Sequence, residues 1–420
     1  GNDASGTLRM SATSFASSAD MFPGPISSTG MYTDAAYIAN YSPAIWSVTQ
    51  AEIDNHIAMW WQGGYVMPAS IVDWPGNGDI ALGVAAQLAP YVDINNNNLY
   101  EPALGEYPYI RGDKATYIIS NDMAGAHTNS LGEQLGIENH VMLYQYATTD
   151  YLNDVTFVNA HVFNRGPYSY ADFKCTFNND LDLGNYVDDF VGCDSIRNMV
   201  YAYNGDNLDE DGVTLGYGAD VPTIGIITLN DQLDGSGYFT NTLPYPYNDP
   251  NDVTSYWNYM NNSWADGSAW VVGGTGAVGS PGATTAPTSY LLSGDPNVGG
   301  EWSELSSGNT PGDRRIFMNM GSISLPAQSD HCYEFAIVYS REAGNDNIQN
   351  VTSLKANADL AQAFYDSQGQ FSCDIVVLGN KEIIASDFNI YPNPSNGSFN
   401  ITLNNDFKEF DLIIRDMAGR

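Results

Sequence analysis

The sequence predicts a mainly β protein: a β-sandwich-type body with a few short helices. Several segments alternate apolar and polar residues with a period of two, which is typical of half-buried strands. Clusters of Gly, Asn, Asp and Pro separate these segments, and only two segments space their apolar residues as a helix does. Short strands with turn-rich connections favour a sandwich-type architecture.

The clearest strand pattern lies in residues 155–164. Val155, Phe157 and Phe163 fall on one face of this strand, whereas Val158 and Val162 fall on the other. We predict further strands over residues 116–120, 141–146, 224–229 and 333–339.

Two helices are predicted. Thr49 and Glu52 form a capping-box signature, and a helix should follow. Its expected apolar face consists of Ile53, His56, Ile57 and Trp60. The second helix is expected from about residue 350 to 368, where Gly369 is a natural stop. Its apolar stripe consists of Val351, Leu354, Ala358 and Ala361.

The chain is strongly acidic, with 49 Asp plus Glu against 14 Lys plus Arg and a formal net charge of −35. So few cations cannot neutralise a phosphate backbone, which excludes nucleic acid as a partner. The same charge disfavours an anionic membrane surface, and no apolar run approaches the roughly 18–20 residues of a membrane helix. The 28 Tyr, 16 Phe and 8 Trp can fill large cores, so the chain is not a disordered acidic protein.

The C-terminal residues contain a distinctive run. Two prolines keep Tyr391 to Pro394 extended and out of a central strand, and Asn396-Gly397 is a tight-turn signal. Alternating strand patterns follow over residues 399–403 and 410–414.

This stretch resembles the C-terminal sorting domain of proteins exported by the type IX secretion system of Bacteroidota. The residues that carry the resemblance are Tyr391, Pro392, Asn393, Pro394, Gly397, Phe399, Ile401, Asp416, Gly419 and Arg420. The alternative is an ordinary hairpin at the end of a β domain. The resemblance implies that residues 381–420 are only the first part of a small β-sandwich, so we expect the natural chain to continue past Arg420. It also implies that the type IX machinery is a partner and that the protein is extracellular or on the outer cell surface.

We assign residues 1–380 to a β-rich body of one or two sub-domains. Residues 271–300 are rich in Gly and are interpreted as a long surface insertion. Residues 20–370, with runs such as VDINNNNLYEPALGEYPYIRGD and GDRRIFMNMGSISL, are similar to the large N-terminal regions of secreted Bacteroidota proteins with this sorting domain. That similarity implies location and architecture but no reaction, and it suggests that Gly1 begins inside a longer region.

The best chemical signal is an acidic, Asn-rich loop. Its candidate ligands are Asp93, Asn95, Asn97 and Glu101, which are spaced as in the first half of an EF-hand calcium loop. Asn98 replaces the usual turn glycine, which is tolerable because Asn visits left-handed conformations. Position twelve is Leu104, so the usual bidentate carboxylate is missing.

Two further acidic groups invite the same interpretation. A second partial match consists of Asn207, Asp209 and Asp211. A third group, within fifteen residues, consists of Asp180, Asp182, Asp188, Asp189 and Asp194. Carboxylates this close repel unless a cation or hydrogen bonds intervene, so we predict calcium at one or more of these loops. The alternatives are Asx-turns on a solvated surface and, for Asp182 with Asp188 or Asp189, the acid and base of a glycosidase.

The four cysteines form no CxxC pair, which argues against a zinc knuckle or a redox motif. The local pairing, Cys175–Cys193 and Cys332–Cys373, is our preferred disulfide scheme, and four free thiols are the alternative. The five histidines form no metal-binding pair at helical spacing, and no nucleophile elbow or phosphate-binding loop is present. A Ser–His–Asp triad of distant residues stays open.

Two surface motifs have competing interpretations. Arg111-Gly112-Asp113 spells an adhesion tripeptide, but we interpret it as a glycine turn before a strand. Trp60-Trp61 and Tyr245-Pro246-Tyr247 are either glycan-binding patches or ordinary packing.

The sequence therefore favours a secreted, cell-surface protein that is calcium-stabilised and has a structural, adhesive or assembly role, rather than an enzyme. Exposed edge strands would allow self-assembly into a filament. The alternatives are a secreted glycoside hydrolase and a non-catalytic module that binds a surface glycan. A hydrolase requires two carboxylates about 5–10 Å apart in an aromatic-lined groove.

Overall fold

The computed structural model describes residues 1–13, 19–368, 376–378, 388–391 and 400–403. The helices are α1 (Ala35–Tyr41), α2 (Gln50–Met59), α3 (Ala69–Val72), α4 (Val253–Met260), α5 (Glu304–Ser307) and α6 (Asn347–Ser367). The strands are β1 (Phe22–Pro23), β2 (Ile45–Thr49), β3 (Tyr91–Asp93), β4 (Tyr107–Pro108), β5 (Lys114–Asn121), β6 (Ile137–Gln145), β7 (Val155–Asn164), β8 (Tyr170–Phe173), β9 (Thr176–Asp180), β10 (Asp189–Asp194), β11 (Met199–Asn204), β12 (Thr223–Thr228), β13 (Leu233–Phe239), β14 (Arg315–Met320), β15 (Ile323–Leu325), β16 (Asp330–Ser340), β17 (Val376–Leu378), β18 (Phe388–Tyr391) and β19 (Asn400–Leu403).

A nine-stranded antiparallel sheet is the centre of the body. Its strand order is β1-β5-β6-β7-β16-β12-β11-β10, with β2 paired to β5. A three-stranded sheet, β13-β14-β9, packs against it, and the rings of Phe177 and Phe335 lie 4.9 Å apart between the two sheets. The mainly β, sandwich-type prediction is confirmed.

Each face of the large sheet has its own hydrophobic core. In β7, Val155 and Phe157 belong to one core, and Val158 and Val162 belong to the other. Successive strand residues point to opposite faces, so both faces of β7 are covered. Helix α6 covers the first face, and the β13-β14-β9 sheet with the buried Trp270 covers the second.

Both predicted helices are present. The Thr49–Glu52 capping box begins α2, but the helix ends at Met59, before Trp60, and Ile57 is 37% exposed. Helix α6 begins at Asn347, earlier than predicted, because Asp346 caps it by accepting from the Gln349 backbone N–H. The predicted stripe of α6 is buried as expected. The expected stop at Gly369 lies outside the described residues.

The predicted strands over 116–120, 141–146, 155–164, 224–229 and 333–339 correspond to β5, β6, β7, β12 and β16. The interpretation of residues 271–300 as a surface insertion is wrong in one respect. The segment contains no helix or strand within the described range, but its buried residues fill the second core. These residues are Ala277, Leu291 and Leu292.

The outer edge of β10 is covered by the chain itself. The Val191 backbone N–H donates to Glu304 Oε1 at 3.1 Å, and the Cys193 backbone N–H donates to the Leu292 carbonyl at 3.2 Å. A sheet edge whose donors are occupied in this way does not offer the open ladder that edge-to-edge assembly needs. Self-assembly through β10 is therefore disfavoured.

The C-terminal strands β18 and β19 pair antiparallel, from Phe388↔Leu403 to Tyr391↔Asn400. The predicted strand over 410–414 lies outside the described residues, and so do the remaining sorting-signal residues. These are Pro392, Asn393, Pro394, Gly397, Phe399, Asp416, Gly419 and Arg420. Among the described helices, none combines the length and the apolar character that crossing a membrane requires.

Candidate metal centres

The Asp93 loop wraps around a buried carboxylate at the end of β3. Asp93 is 0% exposed, and its Oδ1 accepts from the backbone N–H groups of Asn96 (2.7 Å) and Asn97 (3.3 Å). Its Oδ2 accepts from the Asn98 backbone N–H at 2.8 Å. Asn96 and Asn98 have φ values of 59° and 62°, so Asn occupies the left-handed positions as predicted for Asn98.

Hydrogen bonds connect the side chains of this loop to one another and to its backbone. Glu101 Oε2 accepts from Asn95 Nδ2 at 3.2 Å and from Asn97 Nδ2 at 2.6 Å. All four predicted ligands of this loop, Asp93, Asn95, Asn97 and Glu101, therefore belong to one hydrogen-bonded group.

The structure adds a carboxylate that sequence reasoning missed. Glu106 is 0% exposed, and its Oε2 accepts from the Glu101 backbone N–H at 2.7 Å. Its Oε1 is buried and has no hydrogen-bond partner among the described residues. Burial and the adjacent Asp93 carboxylate raise the pKa of Glu106 above its ordinary value.

The position of Glu106 explains why the EF-hand comparison failed to find it. A 3-10 turn over Pro102–Leu104 and Gly105, at φ 97°, return the chain towards β3, and β4 then pairs with β3. Glu106 lies immediately before β4, two positions beyond the missing acid at Leu104. The Pro-x-x-Gly turn signal before Glu106 is the pattern that would have indicated its return.

The predicted residues Asn207, Asp209 and Asp211 have different partners. Asn207 Oδ1 accepts from the Asn347 backbone N–H at the start of α6, and exposed Asp211 accepts from the Gly216 backbone N–H. Asp209 is 1% exposed and accepts from the backbone N–H groups of Asn185 and Tyr217. Metal binding by these three as one loop stays a prediction.

The third acidic group divides. Carboxylate oxygens of Asp180, Asp182 and Asp313 all lie within 4.8 Å of one another. Arg315 supplies a positive charge there, with its Nε 3.4 Å from Asp180 and its Nη1 3.2 Å from Asp313. We assign no metal to this cluster, because a guanidinium already balances part of its charge.

Asp194 is likewise ion-paired. Arg197 Nη1 lies 2.9 Å from its carboxylate, and Lys355 Nζ lies 3.6 Å from it. Asp182 belongs to the Asp180–Asp313 cluster, whereas Asp188 and Asp189 lie outside that cluster and form no ion pair with a described basic side chain.

The adhesion tripeptide is not presented to solvent. Arg111 is 8% exposed and its Nη1 binds Glu334 Oε1 at 2.7 Å. Gly112 has a φ of 71° and turns the chain into β5, which agrees with the turn interpretation.

The aromatic motifs are placed differently from one another. Trp61 is 65% exposed and Tyr245 is 61% exposed, whereas the Tyr247 ring packs 4.9 Å from Trp264. A separate cleft of about 580 Å³ lies between residues 39–46 and 73–79, with Trp46, Asp73 and Asp79 in its wall.

The described histidines bind carbonyl, carboxylate or tyrosine oxygens. No described histidine hydrogen-bonds to a serine or a cysteine; His161, for example, binds Asp330 at 2.6 Å and His331 binds Asp231 at 3.1 Å. No Ser–His or Cys–His nucleophile pair is therefore formed within the described part of the chain.

The predicted disulfide between Cys175 and Cys193 is wrong, because both are free thiols. Cys193 lies in β10 of the large sheet and donates to the Leu291 carbonyl, whereas Cys175 directly precedes β9 in the smaller sheet. Cys332 is disulfide-bonded. Its predicted partner, Cys373, lies outside the described residues.

We expect the two free thiols to resist alkylation in the folded protein. Burial raises the pKa of both Cys175 and Cys193 to about 12, so the thiolate fraction at pH 8 falls on the order of 1,000-fold. Iodoacetamide labelling at pH 8, followed by peptide mass spectrometry, should modify both residues slowly in buffer and rapidly in guanidinium chloride. Rapid labelling of the folded protein would show that these sites are open.

Comparison with known proteins agrees with the C-terminal resemblance. Residues 389–420 match the family model described as a secretion system C-terminal sorting domain. No curated protein matches the chain. The chain is therefore a secreted protein that carries a type IX sorting domain, works with the type IX export machinery, and is extracellular or located at the cell surface.

Proposed function

We propose that this protein is a calcium-stabilised structural or adhesive component of the cell exterior. The observation that carries the proposal is the pair of fully buried carboxylates Asp93 and Glu106, which lie close enough for the charge of Asp93 to raise the pKa of Glu106. Two such charges in a dry environment are costly unless a cation or a proton neutralises them. Calcium prefers six to eight oxygen ligands, and this loop is rich in oxygens.

The ligand set follows the spacing of the loop. Asp93, Asn95 and Asn97 take the first three EF-hand-like positions, and the Leu99 carbonyl takes the seventh, where EF-hands use a backbone oxygen. Glu101 and Glu106 supply the remaining carboxylates. Extracellular calcium modules work at roughly 0.1–1 mM dissociation constants, which suits an exported protein.

A structural or adhesive role is supported by the body itself. Two hydrophobic cores pack against the nine-stranded sheet, and the described surface exposes apolar side chains such as Trp61 and Ile196. Deleting residues 19–368 while keeping the export signals should reduce attachment of cells to surfaces. Unchanged attachment and cell-envelope integrity would contradict this role.

Calcium stabilisation predicts a melting temperature that depends on calcium. In 1 mM EGTA the melting temperature of the full chain should fall, and excess CaCl₂ should restore it. At a calcium concentration 100 times the dissociation constant, one site contributes about 2.7 kcal/mol. Glu106→Gln keeps the size of the side chain but removes its charge, so the calcium-dependent increase should shrink.

The matched control is Glu342→Gln, because Glu342 is exposed and lies outside the acidic groups. This variant should keep the full calcium response. An identical calcium response in Glu106→Gln and the parent chain, measured by calorimetry with folding checked by circular dichroism, would remove the Asp93 loop from consideration.

Glycan binding is the second candidate, and the cleft beside Trp46 favours it. Partly exposed Trp46 offers an aromatic face, and Asp73 and Asn77 supply polar groups. Titration with bacterial surface polysaccharide should give a signal that Trp46→Ala removes. Release of reducing sugar, lost in Asp73→Asn or Asp79→Asn, would instead indicate the hydrolase.

A further inference from the structure

The β10–β11 hairpin brings polar side chains together at its open end. Asp189, the first residue of β10, pairs directly with Asn204, the last residue of β11. Side chains directly opposite in an antiparallel pair have Cβ atoms about 4.5–5.5 Å apart. The Asp188 carbonyl accepts from the Gly205 backbone N–H at 2.7 Å, so Asp188 is held at the same end.

Several oxygens at this end are buried without partners. Both carboxylate oxygens of Asp188, Oδ1 of Asp189 and Oδ1 of Asn204 have no hydrogen-bond donor among the described residues. Asp189 is 2% exposed and Asn204 is 1% exposed, so water does not solvate these atoms. Buried polar oxygens are nearly always paired, and four orphans in one place indicate a missing ligand.

The described charged groups that affect the carboxylates of this site are all acidic. Burial and the neighbouring Asp188, Asp209 and Asp182 raise the pKa of Asp189 to about 9. Burial and the nearby Asp209 raise the pKa of Asp188 to about 6, with smaller contributions from Glu210 and Asp206. Within the described ranges, no Lys, Arg or His forms an ion pair with Asp188, Asp189 or Asp209.

The neighbouring acidic cluster is a useful contrast. At Asp180 and Asp313 the Arg315 guanidinium supplies the positive charge. At Asp188 and Asp189 no such group is present among the described side chains, although Asp189 is 2% exposed and both carboxylate oxygens of Asp188 are buried. The repulsion between carboxylates is reduced by Arg315 in the first cluster, and it needs another positive charge in the second.

We propose that Asp188, Asp189, Asn204 and Asp209 form a second divalent-cation site, separate from the Asp93 loop. Calcium is the ion that we expect, because all the ligand atoms are carboxylate or amide oxygens. Some of these residues lie in loops, and calcium tolerates the variable geometry that loops provide. The site joins two stretches that the sequence presents as separate acidic loops, and Asn204 is a ligand that the spacing does not indicate.

The cation also secures the exposed loop over residues 205–218. Asp209 closes this loop through paired backbone hydrogen bonds with Gly218, at 3.0 and 2.9 Å. Val213 and Leu215 project from it and are 65% and 81% exposed. An ion held between Asp209 and β10 ties the base of the loop to the sheet.

Isothermal titration of the metal-free full chain with CaCl₂ tests the site. The parent chain should bind one more calcium ion than Asp188→Asn or Asp209→Asn. Asp220→Asn is the matched control, because Asp220 is exposed, lies two residues after this loop and belongs to none of the acidic groups. Glu106→Gln should lose a different ion, so failure here and failure of the Asp93 site are distinguishable.

Melting temperatures give a second test. The difference in melting temperature between Asp188→Asn and the parent should change sign when calcium is added, which a purely structural residue would not cause. In EGTA, Asp188→Asn should melt at or above the temperature of the parent, because it removes a repelling charge. In 5 mM CaCl₂ it should melt below the parent. Cleavage of the 205–218 loop by protease should slow at least several-fold with calcium in the parent and not in Asp188→Asn. Equal calcium stoichiometry in Asp188→Asn and the parent would overturn the proposal and assign the orphan oxygens to protonated carboxyls.

Discussion

Replacing Arg111 with Met should destabilise the protein by about 3–5 kcal/mol, the cost typical of breaking a buried ion pair from one side. Glu334 is 1% exposed, and it would lose its only described charged partner. The remaining donor to Glu334 Oε1 is Asn159 Nδ2 at 2.7 Å, which is a neutral group. A buried carboxylate with amide support alone remains largely uncompensated.

The pH dependence of this variant has a definite sign. Burial already raises the pKa of Glu334 above its ordinary value, and Arg111 opposes that shift. Without Arg111 the folded-state pKa rises further, so the folded state holds a proton that the unfolded state releases. The destabilisation of Arg111→Met relative to the parent should therefore grow as the pH rises from the folded-state pKa of Glu334 in the parent towards its higher folded-state pKa in the variant.

Urea unfolding of the full chain at pH 5 and pH 8 measures both effects. The double variant Arg111→Met/Glu334→Leu should recover much of the loss, since it leaves no unpaired buried charge. Asp359→Asn is the control for a surface pair, because Asp359 and its partner Arg197 are 57% and 32% exposed at their side chains. That change should cost less than about 1 kcal/mol. A loss no larger than that in Arg111→Met would contradict the structural role of Arg111.

The Arg111–Glu334 pair is a contact that local sequence patterns could not predict. Local patterns were sufficient for strand β7, for the Thr49 capping box and for the Asp93 ligand spacing, because each depends on neighbours within a few residues. Arg111 and Glu334 are 223 residues apart, and only the sheet order brings them together. The glycine turn in Arg111-Gly112-Asp113 was predicted from local sequence, but the structural role of the arginine was not.

The acidic groups also divide into those formed by sequence neighbours and those formed by residues that are distant in sequence. Asp93 to Glu101 form a local loop, so their spacing predicted their grouping. Asp313 joins Asp180 only because β14 pairs with β9, and Asn204 joins Asp189 only because β11 pairs with β10. The proposed disulfide failed for a related reason, since closeness in sequence did not bring Cys175 and Cys193 together as a bonded pair.

Replacing Asp122 with Ala should also destabilise the protein by more than about 3 kcal/mol, because three buried backbone donors lose their acceptor. Asp122 is 0% exposed and follows β5. Its Oδ2 accepts from the Leu135 N–H at 2.5 Å, and its Oδ1 accepts from the N–H groups of Gly136 (2.9 Å) and Ile137 (2.7 Å). These bonds close the 122–136 loop at the start of β6. Each unpaired buried N–H costs about 1–3 kcal/mol.

Two substitutions of Asp122 that remove different numbers of acceptor oxygens should give different losses of stability. Asp122→Asn keeps one oxygen but turns an amino group towards a backbone donor, so its urea midpoint should lie between those of the parent and Asp122→Ala. Asp266→Ala is the matched control, since exposed Asp266 accepts a single backbone N–H, from Ser268 at 2.9 Å. It should cost less than about 1 kcal/mol because water replaces the lost acceptor. Equal midpoints for Asp122→Ala and Asp266→Ala would mean that the loop finds other acceptors. A midpoint that falls only in Asp122→Ala and Asp122→Asn would place the stability of the β5–β6 connection in this one carboxylate.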